Sequence, residues 1–142
     1  MTIFEQCLKL ARMSKSKDMG FGAVLVIDGV RYLGRNRRLK RSEHPPFPVC
    51  PWSIHAEQDA LLHALRAKAD PSRGVMYIAG IFIDTGEIYI VKKLVSTCHR
   101  CHKLKIQYGF STRVPTKDGW RAPLRFHNVG GVTSFRRSNT SR

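Results

Sequence analysis

Apolar positions near the start of the chain follow a helical period. Ile3, Cys7, Leu8, Leu10 and Ala11 recur at helical spacing, and Thr2 with Glu5 three residues on is a capping-box pattern. Together they predict an amphipathic helix over 2–16, and Gly20-Phe21-Gly22 predicts a break after it. A β-branched run over 23–27, the turn pair Asp28-Gly29 and a second run over 30–34 predict a β-hairpin. Ala60, Leu61, Ala64 and Leu65 keep a helical period between a Ser53 cap and an Asp70-Pro71 stop, which predicts a second helix over 53–69. Residues 74–83 form the continuous apolar run of a buried strand, Asp84-Thr85-Gly86 turns the chain, and 87–91 return. A third helix over 98–108, with Leu104 and Tyr108 inward, closes at Gly109, and a short strand follows over 111–114.

Two segments lack such periodicity. Residues 35–52 begin basic (Arg35, Arg37, Arg38, Lys40, Arg41) and end with four prolines, Pro45, Pro46, Pro48 and Pro51, which exclude regular structure and stiffen a long connector. Long connectors in compact domains are more often functional than idle. From Arg121 onward the chain carries five arginines and no acidic residue, with Gly130-Gly131 in the middle. The expectation is one domain over 1–120 and a basic, flexible tail over 121–142, able to lie on a phosphate backbone.

Composition narrows the class. The chain has 142 residues, 42% of them hydrophobic, enough for a real core, and no apolar run of membrane-spanning length. The N-terminal segment mixes charge into its apolar positions, unlike a signal peptide, so a cytoplasmic location is expected. With 25 Lys and Arg against 10 Asp and Glu, the formal charge is +15. An excess of that size on a small domain gathers polyanions, which favours a nucleic-acid partner over a merely solvated basic face.

The heptapeptide Ser-Thr-Cys-His-Arg-Cys-His, 96–102, is the sharpest chemical signal. Cys98 and Cys101 form a C-x-x-C pair, and with His102 also the attachment pattern of c-type haem. Haem of that type is attached outside the cytoplasm, so metal or redox work is the better reading of a chain without an export signal. Two thiolates do not close a tetrahedral zinc site. His55, at the start of the second helix, is a candidate third ligand, and a catalytic site leaves the fourth position to water. Glu57, two residues on, sits where a carboxylate can take a proton from that water and pass it to a substrate nitrogen.

His55-Ala56-Glu57 on one helix followed by Cys-x-x-Cys on a later one resembles the zinc-dependent nucleobase deaminases of the cytidine and deoxycytidylate deaminase superfamily. The resemblance covers residues 3–115. It implies an α/β fold in α-β-α layers, with a five-stranded mixed sheet flanked by helices. It also implies bound Zn2+ with His55, Cys98 and Cys101 as ligands and Glu57 as proton shuttle. Asn36 would bind the sugar, Phe21 and Ala23 would lie beneath the base, and the Ala56 N–H would meet the ring carbonyl. Ser96 would receive the exocyclic amine. Thr97 stands where the family usually has proline, and a threonine can cap the helix instead. Ser96-Thr97-Cys98 resembles the form common among cytosine-acting members.

The motif defines the reaction and leaves the carrier of the base open. Arg35, Arg37, Arg38, Lys40, Arg41 and Trp52 are the candidate contacts to a single-stranded DNA or RNA backbone. The alternatives are a free nucleotide such as dCMP, with the same arginines on one phosphate, or a tRNA adenosine. A binding module around a structural zinc is a further reading, and it would need a fourth protein ligand. Cys50 with His44 is a candidate second metal site. Cys7 reads as core, His63 as structural, His99 and His102 as surface, and Trp52 and Trp120 as either core or stacking surfaces.

Overall fold

A computed structural model describes residues 1–89 and 99–123. Helix α1 (Ile3–Arg12) starts at the expected cap: Thr2 Oγ1 accepts the Glu5 N–H at 3.0 Å, and Glu5 Oε1 accepts the Thr2 N–H at 2.8 Å. It stops at Met13, short of the expected residue 16, where Ser14 turns its hydroxyl to tertiary work. That hydroxyl donates to the Asn36 carbonyl at 3.2 Å and accepts the Ser16 N–H, the side-chain competition that ends helices.

Strands β1 (Met19–Ile27) and β2 (Val30–Arg35) form the expected hairpin, with Asp28 and Gly29 both at positive φ, as a type I′ turn requires. Gly20-Phe21-Gly22 is strand, not the expected break. A Cβ at Gly22 would run into the backbone of Cys7, and one at Gly20 into that of Ala11, so these glycines let α1 lie directly on β1. The proline-rich connector is also less irregular than expected: β3 (Arg37–Arg38) pairs with β4 (Ser53–Ile54). That pairing draws Ser53 into a strand and moves the start of helix α2 (Ala56–Arg66) to a His55 cap. After a turn of 3-10 helix at Pro71–Arg73 come β5 (Gly74–Phe82), β6 (Ile88–Tyr89), helix α3 (His99–Tyr108), β7 (Ser111–Thr116) and β8 (Gly119–Arg121).

The mixed sheet runs β2-β1-β5-β7-β8 with the short β6 beside β5, six strands where five are expected: β6 lies in the expected return over 87–91, and β8 is the additional strand. Among the described residues β5 and β7 pair in parallel, with α3 in the segment between them; β1–β2, β1–β5, β5–β6 and β7–β8 are antiparallel. The last strand takes in Arg121, and of the expected tail 124–142 lie outside the described residues.

Alternation along β1 sorts two cores. Ala23, Leu25 and Ile27 face Ala60, Leu61 and Ala64 of α2 and Leu104 of α3. Val24 faces Cys7, Leu8 and Ala11 of α1. Trp120 belongs to the second core, edge-on to Phe4 at 5.9 Å and Tyr77 at 5.0 Å, so of its two readings it is core. The resulting α-β-α layering is the fold class expected.

Strand directions decide where chemistry can gather. Met19 pairs with Phe82, so the start of β1 lies at the end of β5. Gly22 pairs with Arg35, which brings the end of β2 there too. A Cβ at Gly34 would strike the backbone of Ala56 and Ala60, so the first turns of α2 rest on that same end of the sheet.

Candidate active site

His55 has extended backbone (φ −76°, ψ 160°) and caps α2, while Cys101 sits in the first turn of α3 and is buried. The two lie on distant segments, and the fold brings His55 Nδ1 to 3.3 Å from Cys101 Sγ. Zinc legs of about 2.0–2.1 Å to nitrogen and about 2.3 Å to sulfur, opened at a tetrahedral angle, put the two donors about 3.5 Å apart. The observed pair fits one shared ion. Cys98, the third implied ligand, and Ser96 lie outside the described residues, and among those residues no group of three ligand-type side chains forms.

Ala56 is buried at the first position of α2, and Glu57, half-buried, follows it. The first intrahelical bond runs from the Asp59 N–H to the His55 carbonyl at 2.9 Å, so the Ala56 N–H lies ahead of the hydrogen-bonded ladder. Partial positive charge at this helix end, and at that of α3, favours thiolate and any anion formed between them.

Phe21 and Ala23 lie on the α2-facing side of β1, with Ala23 fully buried. Asn36 joins this end of the sheet through its amide: Oδ1 accepts the Phe21 N–H at 2.8 Å and Nδ2 donates to the Met19 carbonyl at 3.1 Å. An amide retains one further hydrogen and one further lone pair after such bonds.

The basic connector divides. Arg37 is enclosed by acids: its guanidinium donates to Glu43 twice at 2.7 Å and to Asp59 Oδ1 at 2.8 and 3.1 Å. These bonds, with Glu43 first, strengthen its hold on its proton and pull the Glu43 carboxyl down to about 2. Arg37 is thus a structural link, which takes it out of the set offered to a phosphate. The backbone N–H of Arg35 donates to Asp59 Oδ2 at 3.0 Å. Arg35, Arg37 and Lys40 share an open depression of about 330 Å3 at the β2 edge with Glu43, Asp59 and Arg66, and none of the proposed ligands lines it. Arg38, Arg41 and Trp52 are exposed; Trp52, at 73%, does not wedge into the core.

Three residues here were not singled out from the sequence. Gln58 is fully buried; its Oε1 accepts the His55 N–H at 2.9 Å and its Nε2 donates to the Pro48 carbonyl at 3.3 Å. A glutamine three residues after a cap is a readable signal once His55, and not Ser53, is the cap. Asp59 leaves no local signal, since its partners Arg35 and Arg37 lie more than twenty residues away, whereas Glu43 also closes locally, its Oε1 accepting the Lys40 N–H at 2.9 Å. Cys50 accepts from Arg100 Nη1 at 2.9 Å rather than meeting His44 in a metal cluster among the described residues. His63 is structural as expected, its Nδ1–H donating to the Leu33 carbonyl at 2.6 Å.

A mixed sheet between helix layers, with an imidazole and a thiol meeting between two helix starts, is consistent with a hydrolytic zinc deaminase. The model of the cytidine and deoxycytidylate deaminase zinc-binding region matches residues 1–116, and the chain belongs to that family. It is an enzyme, a zinc-dependent deaminase acting on a C–N bond of a nucleobase or nucleotide. A cytidine deaminase from Burkholderia pseudomallei is similar in structure, with TM-score 0.57 and 18% identity, covering 85% of this chain and 91% of that one. A cytidine deaminase from Mycobacterium tuberculosis matches with TM-score 0.51 and 15% identity over 83% and 85%. The apo dCMP deaminase of cyanophage S-TIM5 has TM-score 0.42 and 24% identity over 81% and 84%. No functionally curated protein matches the sequence. No described helix is long and apolar enough to cross a membrane.

Proposed function

We propose that the protein converts cytosine to uracil in single-stranded DNA or RNA, with His55, Cys98 and Cys101 holding Zn2+. The metal, when bound, supplies Lewis acidity that lowers the pKa of a water. Glu57 would act as the proton carrier, taking a proton from the attacking water and giving it to the departing nitrogen, so that a C–O bond forms as the exocyclic C–N bond breaks and ammonia leaves. Asn36 holds the sugar, Phe21 and Ala23 form the floor under the base, and the Ala56 N–H receives the ring carbonyl. Ser96 takes the exocyclic amine.

One observation carries the choice of a polymer. The β3–β4 ribbon runs straight into His55 and exposes Arg38 and Trp52, a cation and a stacking surface, on a chain of formal charge +15. Arg35, Lys40 and Arg41 extend the cationic surface around it. A free nucleotide such as dCMP is the second reading, favoured by the engagement of Arg37 with Glu43 and Asp59, which reduces the connector's unpaired charge.

The test is ammonia release and uracil or inosine formation on single-stranded DNA, tRNA, dCMP and cytidine across a salt series, with Glu57→Ala as the control. A polymer enzyme forms uracil on the single strand and weakens steeply with salt. Turnover of dCMP alone, with a flat salt response, overturns the polymer reading in favour of the nucleotide. Inosine on tRNA overturns cytosine as the base. Glu57→Ala is expected to keep fold and zinc while losing at least about 10²-fold in rate; full activity in that variant removes Glu57 from its role.

A further inference from the structure

The proline-rich connector touches both helices that carry ligands. On the α2 side, the buried amide of Gln58 holds the Pro48 carbonyl and the backbone N–H of His55 at once. On the α3 side, Phe47, 6% exposed, packs edge-on against Tyr108 with ring centroids 6.5 Å apart, and Cys50 meets Arg100 in the first turn. Cys50 also pairs with Ser53, which joins the connector back to β4. Four residues, Phe47 to Cys50, thus link the cap of one helix to both ends of another. Prolines at 45, 46, 48 and 51 stiffen the link, which a flexible loop would not provide.

We propose that this segment is a strap that sets the separation of His55 and Cys101, with Gln58 and Phe47 as positioning residues for the metal site. The proposal rests on the ligand assignment above. Partners behind metal ligands orient them, and their loss typically weakens metal binding about 10–100-fold. Gln58 suits the task because one side chain fixes both the ligand's own backbone and the strap. Leu104 anchors α3 to the sheet core, and Phe47 of the strap packs into that same core beside Ala60, Leu61 and Ala64 of α2.

The test is the zinc dissociation constant, read by competition with a chromophoric chelator, for the wild type, Gln58→Met, Phe47→Leu, Tyr108→Leu and the Gln58→Met/Tyr108→Leu pair. Each single variant is expected to raise the constant about 10–100-fold while the far-ultraviolet circular dichroism stays unchanged. The double variant is expected to fall well short of the product of the two singles, because both release the same strap from opposite ends. Constants within about two-fold of wild type in the folded singles, or a double variant equal to the product, would overturn the proposal. Should Gln58→Met fail to fold, Phe47→Leu and Tyr108→Leu decide it by their constants. A wild-type chain that binds no zinc removes the ligand assignment, and the strap with it; normal wild-type binding with insensitive variants removes the strap alone.

Discussion

Cys7 and Cys101 are buried to nearly the same degree on opposite faces of one sheet, yet they do different things. Cys7 lies under α1 among Leu8, Ala11, Val24 and Ile81, and its thiol donates weakly to the Tyr77 carbonyl at 3.5 Å. Burial pushes its pKa up to about 12, so it stays a neutral apolar filler. Cys101 lies on the α2–α3 face with an imidazole nitrogen 3.3 Å away. That face also buries Gln58 and Asp59, both hydrogen-bonded, whereas the buried neighbours of Cys7 in the α1 core are Leu8, Leu10, Ala11, Val24, Ala79 and Ile81. Burial depth therefore does not make a cysteine chemical. The neighbour that burial delivers does.

Exchanging the two thiols should break the comparison most sharply. Cys101→Ala is expected to lose stoichiometric zinc and all measurable deamination, by metal analysis and ammonia assay. Cys7→Ala is expected to keep both, at a cost of roughly 1 kcal/mol in unfolding free energy, the order of one buried methyl-sized group. Zinc loss in Cys7→Ala would erase the distinction between the faces.

The next effect concerns how tightly α1 lies on β1. Gly22→Ala drives a methyl into the Cys7 backbone, and a destabilisation of about 1–3 kcal/mol is expected from chemical denaturation, with zinc content intact in the folded fraction. An unchanged denaturation midpoint would show that α1 has room to move.

The smallest effect is in pH, and it has opposite signs on the two faces. Hydrogen bonds from Arg37 lower the Glu43 carboxyl from its ordinary 4.5 to about 2. The ionised form is favoured by folding, so this contribution is full above pH 4.5 and fades as pH falls towards 2. On the α1 face the Cys7 thiol is raised from 9.0 to about 12, so its contribution is full below pH 9 and fades as pH rises towards 12. Thermal unfolding against pH should lose part of its acid slope in Glu43→Gln and part of its alkaline slope in Cys7→Ala. Curves parallel to wild type in both variants would refute the assignment.

Local signals were legible where local forces decide. The Thr2–Glu5 capping box and the Asp28-Gly29 turn fall where the sequence puts them, because each is completed within a few residues. Ser53 misled for the complementary reason: as a cap it is locally sound, but pairing with Arg38 claims it for a strand and hands the cap to His55. Gly20 and Gly22 read as breakers until α1 is laid against them. Arg37 reads as a phosphate contact until Asp59 of α2, together with Glu43 of the same connector, closes around it.

By itself the sequence determined the class of chemistry, since imidazole, carboxylate and thiols at these spacings define what a zinc deaminase needs whatever surrounds them. Only the tertiary structure decided that His55 and Cys101, 46 residues apart, meet at 3.3 Å, and which of the connector's cations remain exposed. The physical reason is one of range: residue type sets what a group can do, whereas distances between remote groups follow from how helices seat on a sheet.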